Sequence, residues 1–258
     1  MRATSHTMVA VGTPLVSLSG IRKVFRNGTV ALDGVDLDVK RGAFLSILGP
    51  SGCGKSTLLR IIAGLTPPSA GTMRGAEQLE GSIGFVFQEP TLMPWASVWE
   101  NIYLPLRLAH RARGEAADRI ATAIREVGLE GFERAFPREL SGGMKMRVSI
   151  ARALVTDPVL LLLDEPFAAL DEITRFKLNE DILRLQQQRH WTVIFVTHSV
   201  FESAFLSDRI VVMAPRPGHI VAEVPDDLPY PRESALRTAP EYAAFCRGLS
   251  QRLQEATA

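Results

Sequence analysis

The sequence predicts an α/β protein. It has a mostly parallel, mixed sheet core, a small antiparallel β subdomain at the N-terminus and an inserted helical lobe. Three observations carry this. Short aliphatic segments recur along the chain with helical patterns between them, which is how a parallel sheet covered on both faces reads. Two alternating segments near the start are separated by turn signals. The stretch from Val98 to Val127 is helical in pattern, lies between strand candidates and contains none of its own.

The elements follow in order. Residues 1–13 read as a flexible tail. Leu15–Ser19 and Val35–Val39 alternate apolar and polar residues as half-buried strands do, and Asn27-Gly28 and Asp33-Gly34 between them signal turns. Ala43–Leu48 is a short apolar strand that runs into a glycine-rich turn, and Thr57–Ala63 reads as the helix after it. Pro67–Gly75 reads as loop, and Ile83–Phe87 as strand. Ile120, Ile124 and Val127 share one helical face in the lobe, placed at about 89–157. Leu160–Leu163, Val193–Thr197 and Ile210–Met213 are buried strands by composition. Pro215–Gly218 turns the chain into His219–Val224, and Tyr242, Phe245, Cys246, Leu249 and Leu253 mark a helix whose favoured place is on the chain's own core, with an interface as the alternative. This closing hairpin and helix span about 209–254.

Composition narrows the function classes. The chain has 258 residues, 46% hydrophobic, with 29 Lys+Arg against 28 Asp+Glu, a net charge of +1. Bulk disorder is excluded, and the balance argues against nucleic acid as a partner, because such domains are usually basic. No apolar run approaches the roughly 20 residues of a membrane span, and the start lacks the apolar core of a secretory signal. Two cysteines make no disulfide framework, so a reducing cytosol is the expected compartment.

The chemistry is concentrated in three places. Gly49-Pro50-Ser51-Gly52-Cys53-Gly54-Lys55-Ser56-Thr57 matches G-x-x-x-x-G-K-[ST] between a strand and a helix. Its backbone N–H groups cradle phosphates, Lys55 serves the β/γ-phosphates and Ser56 offers a hydroxyl to Mg²⁺. Cys53 lies near a helix N-terminus and Lys55, a setting expected to favour its thiolate and make it reactive. Leu160–Asp164 delivers Asp164 at a strand end, where it serves as a Mg²⁺-side carboxylate; Glu165 follows, placed to orient or deprotonate a water. Ser141-Gly142-Gly143 opens another helix with exposed N–H groups, a second phosphate site. Two such sites in one subunit make sense if one copy's serine and glycines clamp the nucleotide held by another.

Taken in order, the phosphate loop, Gln88 after a strand, Leu140-Ser141-Gly142-Gly143, Asp164-Glu165, Asp171 in AALD and His198 after VIFVT resemble the ATP-binding subunits of ATP-binding cassette (ABC) transporters over nearly the whole chain. The resemblance implies one P-loop ATPase domain of ABC type over 14–258, a head-to-tail homodimer with ATP and Mg²⁺ between the copies, and a place at the cytoplasmic face of the bacterial inner membrane. Transmembrane permease subunits would be direct partners and a solute-binding protein an indirect one. It implies that Phe25 stacks on adenine, that Gln88 touches Mg²⁺ and water and links to the lobe, and that Ser141 and Gly143 contact the opposing γ-phosphate. It further makes Glu165 the catalytic carboxylate, gives His198 the γ-phosphate and puts Asp171 at the dimer seam. Met144 and Met146 depart from the glutamines common there, which puts the ribose contact of that glutamine in doubt.

The segment QEPTLMPWASVWE and LDEITR resemble the nitrate/sulfonate/taurine importer group, whose relatives take up thiamine-precursor pyrimidines as well. Leu92, Met93 and Trp95 after Gln88 are expected to form part of a permease-docking surface, with burial of Trp95 inside the lobe as the alternative. An exporter ATPase or a non-transport ABC protein is the alternative; the short stretch between Thr57 and Ser141, the single cassette and the neutral charge disfavour the non-transport class.

Overall fold

The computed structural model describes residues 14–75, 79 and 81–256. The expected N-terminal tail lies outside these residues.

Two sheets organise the chain. The first is antiparallel, in the order β2–β1–β4, from β1 (Val16–Val24), β2 (Val30–Val39) and β4 (Ala70–Arg74). The second has six strands in the order β5–β6–β7–β3–β8–β9. They are β3 (Phe44–Leu48), β5 (Ile83–Val86), β6 (Leu160–Asp164), β7 (Thr192–Thr197), β8 (Arg209–Ala214) and β9 (His219–Pro225). All neighbours in it are parallel except β9, which returns antiparallel on β8 as the Pro215–Gly218 turn predicts.

The aliphatic strands are buried on both faces. Leu161 and Leu163 of β6 join a cluster with the helical lobe and the C-terminal helix; Leu160 and Leu162 join one with the antiparallel sheet and α1 (Lys55–Ile62). Such strands read as unbroken apolar runs because neither face meets water.

Two expectations need correction, and a third gains detail. Asp33-Gly34 is not a turn but lies inside β2. Pairing slips there and again near Gly20, and both glycines have positive φ, 65° and 59°. These bulges break the period of two, so β1 and β2 are longer than their alternating segments suggest. Part of Pro67–Gly75 is strand β4, paired with β1 from Ser17↔Arg74 to Arg22↔Ala70. It is an edge strand with little burial, so no hydrophobic pattern marks it. The helical stretch 98–127 is two helices, α2 (Val98–Leu108) and α3 (Arg113–Glu126). His110 at φ 57° and the Arg111 N–H on Leu106 O, 2.9 Å, close α2. α2 opens on a reciprocal cap between Ser97 and Glu100, and the expected face Ile120, Ile124, Val127 is buried.

The remaining helices are α4 (Gly142–Leu154), α5 (Glu172–Arg189), α6 (Val200–Leu206) and α7 (Pro240–Glu255). Tyr242, Cys246 and Leu249 of α7 are buried, Phe245 and Leu253 pack beside them, and the Tyr242 hydroxyl donates to Phe201 O at 2.7 Å. α7 therefore closes the chain's own core, as its spacing predicts.

Candidate nucleotide site

β3 sits in the middle of the six-stranded sheet and ends at the phosphate loop. A Cβ on Gly49 would lie 2.7 Å from Cys53 Sγ and 2.8 Å from Met213 O; one on Gly54, at φ 95°, would lie 2.8 Å from Ala31 O. The loop closes this tightly because those side chains are absent. α1 begins at Lys55, two residues before the apolar pattern suggests, since a helix's first turn need not be apolar.

Lys55 is only 4% exposed, and its Nζ donates to Gly49 O at 2.8 Å and Pro50 O at 2.9 Å while lying 3.3 Å from Glu165 Oε1. A cation held this way can exchange its own loop's carbonyls for phosphate oxygens. The Ser56 hydroxyl donates to Asp164 Oδ1 at 2.7 Å. Burial pushes the Asp164 carboxyl above its ordinary range, against the pull of Ser56. Glu165 holds the left-handed φ of 45°, a strain of about 1–3 kcal/mol for a non-glycine residue, and its Oε2 lies 3.1 Å from His198 Nδ1. β6 and β7 are parallel neighbours, so Glu165 and His198, just past their ends, meet.

These groups border one cleft of about 570 Å³, lined by Phe25, Ser51, Gly52, Gly54 to Thr57, Gln88 and Glu165. Phe25 is 43% exposed at its edge with Lys23 over its ring, 5.7 Å away. Asp164 and His198 join through Ser56 and Glu165. Ser141, Gly142, Gly143 and Asp171 do not line this cleft. Ser141 caps α4, accepting the Met144 N–H at 3.2 Å, and a Cβ on Gly143 would meet Thr174 Cγ2 at 2.6 Å. Asp171 caps α5 by accepting the Thr174 N–H at 2.9 Å, a bond that holds its carboxyl below the ordinary range. One chain thus holds these two groups of residues apart.

One reading is overturned. Cys53 is fully buried and burial raises its thiol above the usual value, more than Lys55 lowers it. Its sulfur lies against Gly49 and its side chain does not line the cleft, so the packing presents no reactive thiolate. Met146 is inside the core at 2% exposure, while Met144 is half-buried and packs against that core. Sequence reasoning missed Arg216, which lines the cleft from the β8–β9 turn. That turn is fastened by Gly218 N–H on Ala31 O at 3.1 Å and Asp33 N–H on Gly218 O at 3.0 Å. The PRPG turn was visible in the sequence; nothing local shows that it abuts the phosphate loop.

This arrangement defines a P-loop nucleotide hydrolase with a cation, a hydroxyl–carboxylate pair and a carboxylate base candidate. Comparison with known proteins is specific. A family profile described as ABC transporter matches residues 32–168. An uncharacterized ABC transporter ATP-binding protein of Methanocaldococcus jannaschii is 45% identical over 89% of this chain and 88% of its own length. The aliphatic sulfonates import ATP-binding protein SsuB 1 of Pseudomonas savastanoi pv. phaseolicola is 46% identical over 85% and 89%. Among solved structures, cbiO1 of Clostridium perfringens, part of the ABC transporter complex cbiONQ, superposes with a TM-score of 0.76 at 27% identity over 93% of this chain and 100% of that one. The post-hydrolysis dimer of the cassette MJ0796 bound to ADP and Pi gives 0.73 at 33% identity, over 81% and 98%. The chain belongs to the ABC transporter family. It is an ATPase subunit of that family, with the P-loop fold expected from the sequence.

Proposed function

We propose that this chain drives an importer: two copies close on two ATP molecules, hydrolysis reopens them, and the cycle powers uptake of a small solute through separate permease subunits. The observation that carries it is the split between the Lys55–Glu165 cleft and the Ser141–Gly143 helix start within one chain. Phosphates in the cleft meet Lys55 and the loop N–H groups; the second copy's Ser141 and Gly143 complete the contacts from the far side. Glu165 deprotonates or orients the attacking water, and His198 steadies the γ-phosphate and Glu165 together. Gln88 stands on the cleft wall where the core meets the lobe. The oxygen donors Ser56 and Asp164, with Gln88, suit Mg²⁺, which would neutralise charge on the β- and γ-phosphates when bound. Phe25 offers its exposed ring to adenine.

The permease fits a groove of about 890 Å³ between core and lobe, lined by Ile62, Phe85, Phe87, Leu104, Pro105 and Leu108. Beside it buried Asn101 ties down the loop after Gln88 through Met93 O and Ala96 O, leaving Trp95 76% exposed. An amphipathic helix of a partner needs such a groove. No helix among the described residues is long and apolar enough to cross a membrane, so attachment at the cytoplasmic face would come through the permease. The sulfonate importers among the relatives favour a sulfonate-type solute.

The test is Glu165→Gln. Its turnover should fall by about 10²–10⁴ while MgATP still binds, and size-exclusion chromatography with ATP should show twice the monomer mass. Wild-type hydrolysis by the variant would remove Glu165 from the chemistry.

A further inference from the structure

Glu202 is a buried carboxylate in the first turn of α6 that the chemistry above does not use. Its Oε2 accepts the Thr197 hydroxyl at 2.5 Å, and the oxygen of that hydroxyl accepts the Ser199 N–H at 3.0 Å. Ser199 Oγ accepts the Glu202 N–H at 3.3 Å. The residues on both sides of His198 are therefore tied to Glu202, whereas the His198 side chain is half-exposed and touches Glu165. On its other side Glu202 Oε1 lies 3.6 Å from Arg175 Nε, and Arg175 Nη2 donates to Leu170 O at 3.0 Å. Leu170 directly precedes Asp171.

A continuous polar line thus runs from the Leu170–Asp171 loop through Arg175, Glu202 and Thr197 to His198 and Glu165. A buried ion pair is a weak source of stability, because desolvation offsets its attraction. Its setting between two functional loops has a better use. An imidazole at the surface is aimed by its backbone, and misplacement of a reacting group by about 1 Å can lower a rate about 10²-fold.

We propose that Glu202 is a positioning residue for His198, and that Arg175 couples this positioning to the loop bearing Asp171. The inference rests on the roles given to His198 and Asp171 above.

A double-mutant cycle on steady-state ATPase tests it. Glu202→Gln keeps an oxygen for Thr197 and removes the charge that Arg175 faces; Thr197→Val removes the hydroxyl anchor and serves if the first variant fails to fold. Each should lower kcat about tenfold with KM for ATP changed less than about twofold. In a His198→Ala background the same substitutions should change kcat by less than about twofold, because residues acting through one group are not additive. Equal losses in both backgrounds, or no loss in the otherwise wild-type chain, would overturn the proposal. Wild-type turnover by His198→Ala would overturn the site reading, and this proposal with it.

Discussion

Arg232 offers the clearest perturbation. Its side chain and that of Asp226 are both wholly buried, with Arg232 Nη2 3.2 Å from Asp226 Oδ1. Nη1 donates to Ala204 O at 3.2 Å, Phe205 O at 3.3 Å and Ser207 O at 2.8 Å, the carbonyls at the end of α6. Arg232→Met strands those carbonyls and a buried carboxylate. Breaking a buried pair costs about 3–5 kcal/mol, a large share of the roughly 5–15 kcal/mol that holds a typical domain. At about 2–4 °C per kcal/mol for chains of this size, the melting temperature should fall by about 6–20 °C.

The deficit should depend on pH. Burial lifts Asp226 to about 6 against the pull of Arg232. A carboxyl raised in the folded state contributes stability at pH below its unfolded value near 3.8, and loses it as pH rises through about 6. Without Arg232 the carboxyl moves higher still, so the gap between variant and wild type should widen from pH 5.5 to pH 8. Thermal unfolding by circular dichroism at both values reads this out. Arg232→Met with Asp226→Leu should regain only the part due to the unpaired carboxylate, because the Ala204, Phe205 and Ser207 carbonyls still lack the guanidinium. A shift under about 2 °C for the single variant, or a gap that narrows as pH rises, would refute the reasoning.

Other outcomes follow from the same geometry. Native protein at pH 7 should resist maleimide at both Cys53 and Cys246, whose thiol burial lifts to about 11, and both should react in denaturant; mass spectrometry showing rapid, ATP-blocked labelling of Cys53 would contradict its inward packing. Arg216→Gly suits the φ of 56° at that position and removes a cation from the cleft; KM for ATP should rise about two- to fivefold, less at high salt, with kcat unchanged. Trp95→Glu should weaken capture of the chain by permease-containing membranes at least about tenfold while shifting the melting temperature by less than about 1 °C; undiminished capture would move the docking surface elsewhere.

The sequence alone determined what local physics governs. Glycines followed by Lys55 and Ser56 between an apolar strand and a helix can close around phosphate whatever surrounds them, and four leucines ending in Asp164 specify a strand buried on both faces. The candidate site residues Lys55, Ser56, Asp164 and Glu165 were legible for that reason; the role of His198 came from the family resemblance of the ordered motifs. Tertiary structure decided the rest. Whether Cys53 faced phosphate or core depended on Gly49 and on Met213 of β8, distant in sequence. Strand β4 exists because β1 offers it an edge, and carries no pattern of its own. Arg216 entered the cleft because its turn hangs from Ala31 and Asp33 by backbone bonds. Glu202, an unremarkable helix glutamate in sequence, became a buried link between two loops because α5 brings Arg175 against it. Local pattern specifies which conformation a segment takes. Which face a side chain shows, and to which partner, is settled only when non-local burial and hydrogen bonding choose among the directions the backbone allows.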